Sequence, residues 1–260
     1  MEKVAGRLAA DISISVVSHF QIDLVGQLLV DLELCCKDSN FELILTLNVD
    51  EVLPLALDGF SYPIRLIRNA VSMGFSANHN QAFRHATGQL FCVLNPDIRL
   101  NGNPFTALLA CLVDSSVGVV APLVLGGSGE VEDSARCFPT PLKIFCKAFG
   151  WCRGPDYVIK DIPIYPDWVG GMFLLFPRDV FGGLRGFDEG YFLYYEDVDI
   201  CGRLRLLGYK VVLCPKASVT HHAQRTSHRR FKYFDCHLKS MARFFLSPVY
   251  WRLRFRSWVG

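Results

Sequence analysis

No run of about 18 apolar residues in this chain escapes interruption by charge, Gly or Pro, so nothing in it reads as a membrane-spanning helix. A basic-then-apolar leader is missing too. Glu2, Lys3, Arg7 and Asp11 are mixed into the short apolar opening, which argues against a secretory signal and for a cytoplasmic location. There is no Cys-x-x-Cys pair. The ten cysteines sit scattered in apolar segments such as Leu90-Phe91-Cys92-Val93, so they read as small buried hydrophobes rather than a disulfide or metal framework. A net charge of only +2 gives no global field for nucleic acid, and no internal repeat or low-complexity segment is visible. What remains is a 260-residue chain, 51% hydrophobic, long enough to bury one full core.

Along the chain, apolar strands alternate with helical patterns. Ile12 to Val17 is a β-branched run, Leu24, Leu28 and Leu32 recur at helical spacing, and Leu43 to Leu47 and Ile64 to Ile67 are further strands. A turn-rich stretch from Asn69 to Gly74 leads to a helix through Asn80 and Phe83, and Leu90 to Leu94 is a buried strand stopping at Asn95-Pro96-Asp97. Later come a short helix near Leu142 to Phe149, a strand at Met172 to Phe176, a helix from Asp199 to Leu207 closed by Gly208, and a strand at Lys210 to Leu213. Such alternation predicts an α/β fold with a mostly parallel sheet, whose ligands sit beyond the carboxyl ends of its strands.

The polar residues that can carry chemistry fall at those ends. Asp97 follows a buried strand, with Pro96 fixing the backbone before it. A carboxylate there can hold Mg2+ or Mn2+ between two phosphates, and it can equally be a turn residue capping the next helix. Glu196-Asp197-Val198-Asp199 places three acids in four residues after the aromatic run Tyr191 to Tyr195. They either complement a helix dipole or form a general base whose proton affinity the aromatic walls raise. The spacing suits Glu196 and Asp199 facing polar partners and Asp197 pointing into a cleft. His221-His222 after a strand are either two structural histidines or, in company with Asp97, ligands of a metal or phosphate.

In this order, the features resemble the inverting family-two glycosyltransferases, more narrowly the bacterial rhamnosyltransferases of lipopolysaccharide O-antigen assembly. The resemblance spans nearly the whole chain. It rests on Val16-Val17-Ser18-His19, the segment Gly74 to Asn80, Leu94-Asn95-Pro96-Asp97, Asp167-Trp168-Val169-Gly170-Gly171, and Gly186-Phe187-Asp188 leading to Tyr194 through Asp199. His221-His222-Ala223-Gln224 and His237-Leu238-Lys239-Ser240 also fit. It implies a GT-A, Rossmann-like architecture with a helical C-terminal appendage. It further implies Asp97 as ligand of Mg2+ or Mn2+, Asn95 standing for the usual first carboxylate, His221 rather than His222 at the metal or diphosphate, and Asp197 as catalytic base. Ser18, His19, Asn48, Asn78, Asn80, Asn95 and Gln224 are implied as donor contacts. Trp168, Gly170, Gly171, Tyr195 and Glu196 are implied as the acceptor or sugar pocket. Where the family ends its second strand in Asp-Asn, this chain has Leu47-Asn48, with Asp50 as the nearby replacement.

The implied reaction is inverting transfer of L-rhamnose from dTDP-L-rhamnose to a lipid-linked saccharide at the inner face of the cytoplasmic membrane. A sugar nucleotidyltransferase would carry a Gly-rich, basic loop after the first strand, and Ser18-His19-Phe20-Gln21 is not one. A non-catalytic nucleotide-sugar-binding domain would have no use for Asp97, Asp197 and His221 together. Residues 1–228 are expected to form the transferase domain, about 11–125 for the nucleotide and about 126–228 for the acceptor, with 229–260 as a basic aromatic tail. Between Arg225 and Arg256 nine Lys and Arg residues are opposed by Asp235 alone, interleaved with Trp251, Phe255 and other aromatics. The tail reads either as a helix packed on the domain with a solvated basic face or as an anchor on an anionic membrane surface.

Overall fold

Strand β1 (Ile12–Ser18) alternates Ile12, Ile14 and Val16 with Ser13 and Ser15, and all five side chains are buried. Its apolar face belongs to a cluster with Leu28, Leu29 and Leu32 of helix α1 (Ile22–Cys35). On its serine face, Ser15 Oγ lies 2.8 Å from His79 Nδ1 of helix α2 (Phe75–His85). Covering both faces with helices is what a parallel sheet requires, and the small serines leave room for α2.

The computed structural model describes residues 11–53, 56–151, 154–222 and 230–256. In it β1 lies parallel between β2 (Phe41–Leu47) and β4 (Leu90–Leu94), and β3 (Ile64–Arg68) extends the sheet beyond β2. Past β4 come β9 (Phe173–Pro177), then β6 (Val117–Gly126), β10 (Lys210–His221) and the edge strand β5 (Ile98–Leu100). Of these eight strands only β9 and β5 run antiparallel to their neighbours. The mostly parallel sheet expected from the sequence is therefore present, and its parallel strands all end along one edge.

Helices α1 and α3 (Phe105–Cys111) cover one face, while α2, α5 (Arg178–Gly183) and α6 (Glu196–Leu206) cover the other. A two-stranded ribbon of β7 (Ala135–Arg136) and β8 (Trp168–Val169) borders the site, with α4 (Pro141–Ala148) between them in sequence. Two elements depart from the sequence reading. β10 runs on to His221 instead of stopping at Leu213, crossing an irregularity against β6 between Cys214 and Ser218 where Pro215 interrupts the ladder. α6 starts at Glu196 rather than Asp199, so the acidic cluster is its first turn.

At the C-terminus α7 (Arg230–Leu246) and α8 (Pro248–Arg256) pack on the domain: Phe244 and Tyr250 are buried with Tyr191, Tyr195 and Val198. No helix among the described residues is long and apolar enough to cross a membrane.

Candidate active site

At the end of β1 the Ser18 hydroxyl donates to both oxygens of Glu51, at 2.9 and 3.0 Å. The same carboxylate accepts the backbone N–H groups of Phe20 and Ile22, two of the unpaired donors at the entry to α1. Glu51 is buried and Asp50 is exposed, so the carboxylate turned inward after β2 is not the one singled out from the sequence. Asn48, at the end of β2, accepts from Met73 N and Asn69 Nδ2 and donates to Met73 O. Asn78 accepts from Asn69 and donates to Met73 O and Gly74 O. These three amides stitch the 69–74 turn, and His19 Nδ1 sits 3.2 Å from Asn48 Nδ2 beside it. Ser18, His19, Asn48 and Asn78 are thus brought together, their polar atoms engaged in shaping the strand-end turn. Asn80 is not with them: its amide clasps Phe187 N and O and Glu189 across α2. Gln224 lies outside the described residues.

The turn after β4 carries Asp97. Its Oδ2 lies 3.3 Å from His221 Nε2, and its backbone carbonyl accepts His222 N–H at 2.9 Å. The other face of the imidazole is held by Glu132, whose oxygens are 3.0 and 3.1 Å from Nδ1. Hydrogen bonding to Asp97, with help from both carboxylate charges, pushes the His221 imidazole up to about 9 against the opposing pull of burial. Glu132 sits in the loop between β6 and β7, a segment without strand or helix periodicity in the sequence. Asp97 Oδ1 is buried with no hydrogen-bond partner, an open position on a hard oxygen at a strand end. Asp97 and His221 together offer one carboxylate and one imidazole, a set Mn2+ accepts and Mg2+, which prefers oxygen alone, accepts less readily. Among the described residues no three His, Cys, Asp or Glu side chains form a ready-made cage. That suits a cation whose remaining ligands are phosphate oxygens and water.

The third component is the turn between β8 and β9. Asn95 N donates to Met172 O at 2.9 Å, which ties the Asp97 turn to this one, and Gly171 N donates to Asp197 Oδ2 at 3.0 Å. Gly171 thus contacts Asp197, and the residue after it holds Asn95, two residues before Asp97. Asp197 Oδ1 accepts from its neighbour Val198 N, and burial raises the proton affinity of the side chain against the help of these N–H groups and of the Arg136 charge. Arg136 itself lies over the Trp168 ring at 5.5 Å, and Trp168 Nε1 donates to Cys137 O. Gly170 N bonds Ser134 O at 2.8 Å, closing the ribbon around the cleft.

Asp199 faces a polar partner as expected, with Arg203 Nε at 2.7 Å. Glu196 does not. It is only 5% exposed, its Oε2 has no partner, and burial first and the Asp197 charge second hold its carboxyl well above the usual range. The cause lies just upstream, where Tyr194 and Tyr195 both occupy the left-handed region at φ 70° and 67°. Two bulky residues there cost roughly 1–2 kcal/mol each, and they turn the first coil of α6 inward. The strained pair is held by α7: His237 packs on both tyrosines, Phe244 on Tyr195, and Ser240 Oγ donates to Leu193 O at 2.8 Å.

Comparison with known proteins gives this arrangement relatives. Residues 34–149 match the family model described as Glycosyl transferase family 2. Rhamnosyltransferase WbbL of Escherichia coli (strain K12) is 30% identical over 246 residues, covering 89% of this chain and 91% of that protein. The N-acetylglucosaminyl-diphospho-decaprenol L-rhamnosyltransferase of Mycobacterium tuberculosis (strain ATCC 25618 / H37Rv) is 33% identical over 181 residues, 62% of this chain and 59% of that protein. Among solved structures, the mannosyltransferase PcManGT from Pyrobaculum calidifontis in complex with GDP-Man and Mn2+ superposes with a TM-score of 0.64 at 15% identity, over 92% of this chain and 65% of that one.

Proposed function

The chain belongs to glycosyltransferase family 2, with the GT-A fold, and within that family we propose that it moves L-rhamnose from dTDP-L-rhamnose onto a lipid-linked saccharide with inversion at the anomeric carbon. The observation that carries the reading is the Gly171 turn, bonded on one side to Asp197 and through Met172 to the Asp97 turn. That link between the two turns supports reading Asp97 as the carboxylate for a metal diphosphate and Asp197 as the carboxylate for a proton in one site. The names of the bacterial relatives support the sugar, and the decaprenol-linked substrate of the mycobacterial one supports the acceptor class.

In this reading Asp97 and His221 hold Mg2+ or Mn2+ with the donor diphosphate, and Glu132 fixes the imidazole so that Nε2 faces inward. When bound, the cation neutralises charge on the departing nucleoside diphosphate. Asp197 receives the proton of the acceptor hydroxyl as its oxygen bonds to the anomeric carbon, while the bond to the diphosphate breaks and its electron pair leaves with the phosphate. An elevated proton affinity suits that task, and positioned base catalysis contributes about 10²–10⁴-fold. In the same reading Trp168, Gly170 and Gly171 line the space for sugar and acceptor, the buried Tyr195 and Glu196 back it, and Asn95 ties the metal turn to Met172. Docking of the basic, aromatic C-terminal helices on the inner face of the cytoplasmic membrane would keep enzyme and acceptor on one surface.

A panel of nucleotide sugars, incubated with an undecaprenyl-diphosphate-linked sugar in Mn2+ and in Mg2+, tests this. dTDP-L-rhamnose should turn over in preference to UDP- and GDP-sugars, giving a product of inverted configuration. Turnover confined to another donor, or release of pyrophosphate from a nucleoside triphosphate, would overturn it.

A further inference from the structure

Helix α4 turns its largest apolar side chains outward. Leu142, Phe145 and Phe149 recur at spacings of three and four, one helical stripe, and they are 72%, 50% and 60% exposed. Trp151 follows at 72% exposed, and its ring joins those of Phe145 and Phe149 with centroids 4.4 to 6.0 Å apart. The half-buried side of the helix carries Lys143, paired with Asp156, together with Ile144 and Cys146, while the exposed Lys147 lies 3.7 Å from Asp133. A helix that turns its aromatic cluster outward is arranged for an apolar occupant.

The helix has a companion. α4 and α8 contain no Asp or Glu, and α8 exposes Trp251 and Phe255 beside Arg252 and Arg254. α8 packs on α6 at Gly202, where a side chain would meet Val249 at 2.8 Å and Leu253 at 3.1 Å, and the same point lies 3.8 Å from Phe138, three residues ahead of α4 in sequence. Exposed aromatic rings beside the exposed Arg252 and Arg254, on helices that themselves carry no acid, complement an anionic lipid surface, where the rings settle at headgroup depth.

We propose that the outward face of α4 is a bilayer contact, in which Leu142, Phe145, Phe149 and Trp151 enter the headgroup boundary of an anionic membrane beside α8. Because α4 lies in sequence between β7 and β8, the ribbon that carries Trp168 and leads into Gly170 and Gly171, this contact sets the rim of the cleft against the membrane. That use rests on the lipid-linked acceptor proposed above; the contact itself does not.

The test is the part of the emission that Trp151→Phe removes in the full chain carrying Trp251→Phe and Trp258→Phe, Trp168 being retained in both, with phosphatidylcholine–phosphatidylglycerol vesicles, plain or with brominated acyl chains. A blue shift and bromine quenching are expected, both lost when Trp151→Phe is added. In the otherwise unaltered chain, Phe145→Ser with Phe149→Ser should weaken vesicle binding by about tenfold or more, while transfer to a short-chain, water-soluble acceptor analogue stays unchanged. Vesicle binding with unshifted Trp151 emission, or wild-type binding by the double variant, overturns the proposal. So does a double variant that dissociates a dimer in sedimentation, which would make the face an interface between copies. Trp151 insertion without transfer from any donor would leave this contact standing and refute the proposed reaction instead.

Discussion

His79 shows what a single buried residue contributes. It sits between β1 and α2, bonded to Ser15 and packed on Phe75 at 4.3 Å, and burial pulls its imidazole down to about 3. The folded chain therefore refuses a proton that the unfolded chain accepts below about pH 6.5. This contribution to stability is complete above that pH and is lost as the pH falls, by up to about 2 kcal/mol between pH 6.5 and 5. Denaturant titrations at several pH values should show a shallower acid loss for His79→Gln than for wild type, from a lower starting stability. Parallel slopes would contradict the assignment. At the same scale, residues that end apolar runs were legible in the sequence, and for that reason Asp97, Asp197 and His221 stood out. Glu51 and Glu132 were not legible, because each is one of several neighbouring acids in a loop, Asp50-Glu51 and Glu130 to Asp133, and its partner lies 33 or 89 residues away.

Between elements, the close approach of α2 to the loop ahead of α6 couples the two ends of the site. Phe75 N bonds Phe192 O at 2.8 Å, and a Cβ on Gly74 would lie 2.6 Å from that oxygen and 2.8 Å from Phe192 Cα. Only glycine permits this backbone contact. Gly74→Ala is expected to cost about 1–3 kcal/mol in stability and to lower both nucleotide affinity and kcat, because it displaces the 69–74 turn and the base loop together. Calorimetry and steady-state kinetics check the pair; loss of only one would show the coupling to be absent. The α7 contact acts on one end alone. Phe244→Ala removes a fully buried ring from against Tyr195, with an expected cost of about 3–5 kcal/mol, and should lower kcat while leaving the donor KM unchanged. An unchanged kcat in the folded variant would make α7 a stabilising helix only. The alternation of strands and helices was readable because burial imposes its period on the residues. The direction of β9 was not, since side chains alternate with the same period in parallel and antiparallel strands. Nor was the length of β10, because Pro215 reads as a stop where the strand instead shifts register.

For the molecule as a whole, the sheet places the ends of β1, β2, β4 and β10 along one edge, which carries the Asn48–Asn78 turn, Asp97 and His221. Asp197, the proposed base, reaches the Gly171 turn from α6, whose start packs on helices of the C-terminal region. That region was readable from its charge surplus but not from its packing, because Phe244 packs on Tyr195, whose left-handed backbone no pattern announces. The central claim is the division of labour between the two carboxylates. It is tested most directly by measuring, on the same preparations of Asp97→Ala and Asp197→Asn, Mn2+-dependent dTDP binding by calorimetry and single-turnover transfer from dTDP-L-rhamnose. The account predicts that Asp97→Ala loses Mn2+-dependent binding, whereas Asp197→Asn binds like wild type and transfers about 10²-fold or more slowly. Wild-type nucleotide affinity in Asp97→Ala, or transfer by Asp197→Asn within about tenfold of wild type, would contradict it.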